Sequence, residues 1–255
     1  TETFAAIPFI LKMGGEEFLN LGKPNNGGTK LFSVSGHVNR PGNYEIPLGT
    51  PFSPLLEMCG GMRGGRKLKA VIPGGSSAPV MPGEVIMDCT MDYDSISKGG
   101  SMLGSGSIIV ADDTVSIPHM ALRTARFYHH ESCGKCTPCR EGTNWTVKML
   151  ERVVRGEATP MDLDIISSVQ KNIMGHCLCV LGDSMAMPVS AMVNKSRPEV
   201  EEVIASAAIS GFPTTDGREA QEDGEEPGPG GISPKVIERQ RLAGLLAVAG
   251  HDVEH

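Results

Sequence analysis

The 255-residue sequence is short of several features that mark common protein classes. No stretch approaches the ~20 apolar residues a bilayer-spanning helix needs, the best being the short run 242–249, and no basic-then-apolar leader opens the chain. Basic clusters are missing too. The 23 Lys+Arg stand against 30 Asp+Glu, a formal charge of −7, which argues against a surface that neutralises nucleic-acid phosphates. There is no G-x-G-x-x-G, hence no dinucleotide fingerprint, and no internal repeat. Aromatic residues make up only 4%, so packing must lean on aliphatic side chains and 14 Met. These absences predict a soluble, intracellular chain that neither spans a membrane nor binds nucleic acid.

What remains is ordinary globular material. At 40% hydrophobic and 21% charged, the chain can bury a core in one large or two modest domains. Its 32 Gly and 18 Pro point to many turns. The opening TETFAAIPFIL begins at Thr1 and reads as an internal piece of a longer protein.

From Lys30, LFSVSGHV alternates like a half-buried strand, breaks at Asn39-Arg40-Pro41-Gly42 and resumes at Asn43-Tyr44-Glu45-Ile46, which reads as a hairpin. Phe52, Leu55, Leu56 and Cys59 fall at helical spacing before the stop Gly60-Gly61, and 68–72 and 107–111 read as short buried strands. This order predicts an α+β module over 29–113, after a connector at 1–28. From Pro118 the pattern turns helical as far as Tyr128. A second helix is expected from about Glu141 to Arg155, with Trp145, Met149, Leu150 and Val153 inward. A third is capped by Thr159, with Leu163, Ile166, Val169 and Ile173 inward, and one or two more span 185–209, interrupted near Pro188 and Pro198. Short connections predict an antiparallel bundle over 114–212. Residues 213–234, with six acids, one base and much Gly and Pro, read as a disordered linker, and 235–255 as a C-terminal helix of unknown role.

Seven cysteines in a chain without a secretory segment argue for metal ligation or isolated core thiols rather than a disulfide framework. Five of them lie within 47 consecutive residues. Cys133, Cys136 and Cys139 form a C-x2-C-x2-C loop before a helix, presenting three soft ligands in the way iron–sulfur clusters are commonly held. A cubane needs a fourth, and either Cys177 or Cys179 reaches it if the intervening helices fold back as a hairpin. Lys135, Arg140 and the following helix N-terminus place positive potential beside the anionic group. A ferredoxin would carry its fourth Cys three residues after the third; here Arg140 to Gly142 follows, so the fourth ligand is remote. Zinc held by Cys133, Cys136, Cys139 and either His129 or His176 is the competing reading, and unligated core thiols the blandest one. Cys59 and Cys89 sit singly and read as packing residues. His129, His130 and His176 read as polar rim residues, with outer-sphere donation to the thiolates as the lesser alternative.

These residues carry a resemblance. ESCGKCTPCREGTNW, followed at Cys179 by CVLGDSMAMPV, with KLFSVSGHVNRPGNYE, LKAVIPGGSSAPV and MDYDSISKGGSMLGSGSIIV upstream, is similar to the flavin-bearing, NADH-oxidising subunit of respiratory complex I, the F subunit in bacteria and the 51 kDa subunit in mitochondria. The resemblance implies a ubiquitin-like β-grasp, the soluble-ligand-binding module, followed by a helical bundle carrying a [4Fe–4S] cluster. It implies Cys133, Cys136, Cys139 and Cys179 as ligands, because the family's fourth ligand stands two positions before Leu-Gly-Asp; Cys177 is then a neighbour without a role.

It further implies FMN and NADH as cofactors of the full-length protein. Most of that site belongs to a Gly-rich half missing from this sequence, so the chain alone is not expected to bind NADH, and Thr3 is a leftover FMN contact. Electrons would pass singly from FMN through the cluster toward quinone. The implied partners are other subunits of the NADH dehydrogenase module, a thioredoxin-like [2Fe–2S] subunit and a large iron–sulfur subunit. The implied location is cytoplasmic, peripheral to the inner membrane, or on the matrix side in mitochondria. The diaphorase subunit of NAD-reducing hydrogenase and the β subunit of NAD-dependent formate dehydrogenase share these motifs and are the alternatives; a zinc-stabilised interaction module is the alternative of a different class.

Overall fold

The computed structural model describes residues 2–210, so the expected linker and final helix, 213–255, lie outside the described residues. Two helices, α1 (Glu2–Met13) and α2 (Gly15–Asn20), come first. Neither buries a side chain, and Phe4, Phe9 and Leu11 of α1 stand exposed. The Glu2 carboxylate ties α1 to the module that follows, accepting from the Leu31 N–H at 2.6 Å and from Lys30 Nζ at 3.1 Å.

Five strands form one mixed sheet: β1 (Thr29–Gly36), β2 (Gly42–Pro47), β3 (Leu68–Ile72), β4 (Met81–Pro82) and β5 (Ser107–Asp112), in the order β2-β1-β5-β3-β4. β1 runs antiparallel to β2, with Phe32 opposite Tyr44, and parallel to β5, with Val34 opposite Ile108; β3 is antiparallel to both β5 and β4. At the end of β1, Gly36 has φ +91°, and a Cβ there would stand 2.2 Å from the Val110 carbonyl oxygen, so only glycine lets the two strands meet. Three short helices, α3 (Phe52–Met58), α4 (Gly83–Met87) and α5 (Tyr93–Lys98), complete the module.

The period of two in a strand divides the sheet's burial between two cores. Val71 joins Phe32, Phe52, Leu55, Ile86 and Ile96 on one side, while its neighbours Ala70 and Ile72 pack with the helices that follow. Those helices are α6 (Ile117–Glu131), α7 (Thr137–Val154), α8 (Pro160–Ile173), α9 (Leu181–Lys195) and α10 (Arg197–Ser210). α6 packs on α7 and α9, and α8 packs on the same two, around Leu150, Leu163, Ile166, Met185, Val189 and Met192. α8 starts where the Thr159 N–H donates to Asp162 Oδ2 at 2.6 Å, and this bond first of all holds the Asp162 carboxyl below its ordinary range. Among the described residues no helix is long and apolar enough to cross a membrane.

Three expectations are corrected. Helix α7 begins at Thr137, not near Glu141, so Cys139 is helical; Thr137-Pro138 starts it, with proline in the first turn where its missing N–H costs nothing. Trp145 points outward and is 54% exposed. The inward stripe of α7 is Thr143, Thr146, Val147, Leu150 and Val153, because Thr146 satisfies its hydroxyl on the Gly142 carbonyl at 2.7 Å and accepts from Gln170 Nε2 at 2.8 Å. Pro188 does not interrupt α9: Met185, Val189 and Met192 around it are fully buried, and that packing outweighs one lost backbone bond. Pro198 does sit at a boundary, in the first turn of α10. β4, α4 and α5 escaped the sequence reading: β4 has two residues, too few to alternate, and α4 and α5 have five and six, too few for a helical period to show.

Candidate metal centre

The α6–α7 connection makes the first wall of the site. α6 stops at Glu131, and Gly134, at φ +73°, turns the chain so that Cys136 becomes the N-cap of α7. Arg140 braces the turn, donating from Nη1 to the Gly134 carbonyl at 2.7 Å while its backbone N–H bonds the Cys136 carbonyl at 2.8 Å; its Nε pairs with Glu141 at 2.8 Å. Ser132 Oγ accepts from the Gly134 N–H at 3.3 Å and lies 3.2 Å from the Cys139 sulfur, where its proton is free to donate.

The second wall is the α8–α9 connection. Gly175, at φ +72°, reverses the chain after Ile173, and its N–H bonds Asp183 in the first turn of α9 at 2.8 Å. The helices between the two walls do fold back on each other, and the Leu178 N–H donates to the Cys136 sulfur at 3.2 Å. The approach is close enough to require two glycines. A Cβ on Gly142 of α7 would lie 2.6 Å from Ile173 Cγ1, and one on Gly182 of α9 would lie 2.9 Å from Ile173 Cγ2 and 2.8 Å from the Cys177 sulfur.

Between the walls lies a cavity of ≈ 120 Å³ lined by Cys133, Cys136, Cys139, Cys177 and Cys179, with Glu131, Ser132, Lys135 and Leu181. Cys139 is buried, Cys136 and Cys177 are half-buried, and Cys133 and Cys179 are exposed. Burial pushes the Cys177 thiol up, and the neighbouring Cys139, Cys136 and Asp183 push it further; the Cys139 backbone N–H faces the Cys177 sulfur. The first turns of α7 and α9 border the cavity through Cys139 and Leu181, so the positive dipole ends of two helices lie beside it.

This donor set fits a compact polythiolate-bound metal core. No histidine lines the cavity: His129 Nδ1 is 3.0 Å from Thr143 Oγ1, and His176 Nδ1 is 2.8 Å from the Met174 carbonyl. Among the described residues no three Cys, His, Asp or Glu close on a single-ion position. The spacing left Cys177 and Cys179 both open as the remote thiol and the resemblance chose Cys179; both line the cavity. Thr3 lies exposed on α1 and is not among the cavity-lining residues. Cys59 and Cys89 are buried in the sheet-module core, away from the site.

Residues 119–203 match the NADH-ubiquinone oxidoreductase-F iron-sulfur binding region, and residues 31–81 match the SLBB domain. The chain is 47% identical over 205 residues to an F subunit of the NADH-quinone oxidoreductase of Rhizobium meliloti (strain 1021), covering 80% of this chain and 47% of the relative. It is 46% identical over 202 residues to the corresponding F subunit of Rickettsia bellii (strain OSU 85-389), covering 78% and 48%. The chain thus spans about half the length of the curated relatives it matches. Among solved structures, the NAD+-reducing [NiFe]-hydrogenase in its air-oxidized state superposes with TM-score 0.70 at 28% identity, over 83% of this chain and 38% of that one. The same enzyme in its H2-reduced state gives TM-score 0.71 at 26% identity, over 100% and 39%. Matched through its iron–sulfur region and by curated relatives across four-fifths of its length, the chain belongs to the family of NADH-quinone oxidoreductase F subunits.

Proposed function

We propose that this chain is the electron-relay part of the NADH dehydrogenase module of an NADH:quinone oxidoreductase, with Cys133, Cys136, Cys139 and Cys179 as ligands of a [4Fe–4S] cluster standing between FMN and quinone. One observation carries this reading: thiols from two segments 40 positions apart line one small cavity, inside the stretch that matches an iron–sulfur binding region. When bound, such a cluster supplies one-electron chemistry. The chain's own residues hold it and set its charge balance. Four thiolates carry negative charge, and the N-termini of α7 and α9, Lys135, the Leu178 N–H and the Ser132 hydroxyl offset it, which favours reduction. The buried Cys139 and the packed Ile173 keep water from the inner side.

The sheet module over 29–113 we read as a ubiquitin-like β-grasp and 114–212 as the cluster-carrying bundle, a division that the separate SLBB and iron–sulfur matches support. FMN and NADH are assigned to the complete protein, with Thr3 as an FMN contact. A thioredoxin-like [2Fe–2S] subunit and a large iron–sulfur subunit are the partners, at the cytoplasmic or matrix face of the inner membrane. The hydrogenase diaphorase is the second reading, favoured by the two solved structures, but their 28% and 26% identity falls well below the 47% shared with the Rhizobium F subunit.

The test is the full chain reconstituted anaerobically with iron and sulfide. The expected product binds about four irons and shows broad visible absorption that dithionite bleaches. A colourless protein holding zinc instead would overturn the reading.

A further inference from the structure

Five thiols line the cavity, and a cubane uses four. The surplus thiol is not a stray surface cysteine. Cys177 and Cys179 flank Leu178, whose N–H bonds the Cys136 sulfur, so a single anchor holds both of them against the three-thiol turn. Cys177 is also seated. Its sulfur lies 3.7 Å from the Ile173 carbonyl oxygen and occupies a slot left open by Gly182, where a Cβ would stand 2.8 Å away. The two differ in access: Cys179 is exposed, while Cys177 is half-buried. Exposure makes Cys179 the more open of the pair to alkylation or oxidation.

We propose that Cys177 is a reserve fourth ligand, replacing Cys179 whenever the latter is not bound. The proposal rests on the cluster reading above. In the exchange the iron bond to the Cys179 sulfur breaks and one to the Cys177 sulfur forms. Cys177 gives up its proton and the freed Cys179 thiolate takes one, so neither the charge of the site nor any iron oxidation state changes. The swap needs rotation of two side chains on one short bend, with the turn of Cys133, Cys136 and Cys139 left in place. A thiol confined to the cavity also acts at an effective concentration of at least ~1 mM, so it competes well with water for the vacated iron.

The test compares the full chain with Cys177→Ser, Cys179→Ser and the double variant, each reconstituted anaerobically and checked for folding by circular dichroism. Iron and sulfide content and the electron paramagnetic resonance of the dithionite-reduced protein are the readouts. Cys177→Ser should match the wild type. Cys179→Ser should keep more than about half of its iron, with a shifted resonance, and the double variant should lose roughly tenfold or more. Loss of iron from Cys179→Ser as complete as in the double variant, with wild type and Cys177→Ser still loaded, would overturn the reserve role and leave the cluster reading standing. A wild type that takes up no bleachable cluster, or a double variant that keeps it, would instead overturn the four-ligand reading and this proposal with it. If Cys179→Ser fails to fold, limited alkylation of the loaded wild type with iodoacetamide decides. Peptide mass spectrometry should find Cys179 modified and Cys177 protected in molecules that retain iron. Iron lost in step with Cys179 modification would sink the idea.

Discussion

The backbone N–H of Leu178 points at the Cys136 sulfur, 3.2 Å away across 42 positions of chain. This bond joins the two walls of the thiol cavity, backbone to sulfur, and its donor belongs to a residue that is itself 83% exposed. An N–H donated to a ligand thiolate stabilises the more negative, reduced state. Leu178→Pro removes that donor, a charge-assisted bond worth about 1.5–3 kcal/mol, whereas Leu178→Ala keeps it. The proline variant should titrate at a more negative potential than wild type, and the alanine variant at the wild-type value. Equal potentials for all three would show that the bond does not act on the cluster.

Gly142 and Ile173 set how closely α7 and α8 approach the site. An alanine methyl at Gly142 would fall 2.6 Å from Ile173 Cγ1 and 2.7 Å from its Cδ1, and Ile173, 1% exposed, has nowhere to withdraw. Overpacking costs about 1–3 kcal/mol, against a gain of about 1 kcal/mol for replacing a helical glycine. Gly142→Ala should therefore lower the unfolding free energy measured by denaturant titration by a net ~1 kcal/mol. Ile173→Val removes the clashing Cδ1, so it should cost less in the Gly142→Ala background than alone. Additive costs would show that the two side chains do not compete for the same space.

Asp112 gives a pH signature. The Thr114 hydroxyl first, then the Thr114 N–H and His37, hold its carboxyl down to about 2 from an ordinary 3.8. Because the folded value is the lower one, the stability it adds is complete above the ordinary value and is lost as pH falls through about 2. The advantage of wild type over Asp112→Asn should be constant from neutrality to about pH 5 and shrink steadily below that. An advantage independent of pH down to 2 would show that the shape of the side chain, not its charge, is what counts.

How much of this was readable beforehand depends on what decides each feature. The β1–β2 hairpin and the start of α8 rest on local rules, alternation around Pro41-Gly42 and a Thr-Pro start, and local rules can be read from a sequence. The three-thiol turn is local as well. Its meeting with the 177–179 bend is not, but short connections forced the helices between to fold back. Trp145 was misplaced because hydrophobicity alone picked the stripe, and the threonines that line the inner face hide their hydroxyls on backbone and on Gln170. Pro188 was misread because the helix through it is held by burial that only the assembled core supplies. The roles of Gly142 and Gly182 depend on interhelical distances that no single segment encodes.

Lys195 links the last turn of α9 to the sheet module, donating from Nζ to the carbonyls of Val80 and Gly100, both at 3.0 Å. Burial draws its pKa down from 10.5. Two effects oppose each other in Lys195→Met: the variant is spared the desolvation of a charge, but leaves two carbonyls without their donor. Water can reach the exposed Gly100, so the loss falls on the buried Val80 and should come to about 1–2 kcal/mol, enough to lower the midpoint at pH 7. The pH trend follows from the direction of the shift. The folded state binds this proton less tightly than the unfolded chain, so stability rises as pH climbs toward 10.5, and the neutral amine still has the hydrogens for both bonds. The gap between wild type and Lys195→Met should therefore widen between pH 8 and pH 10 in denaturant titrations. A gap that closes over that range would mean that the ammonium charge itself, rather than its two hydrogen bonds, holds α9 against the sheet.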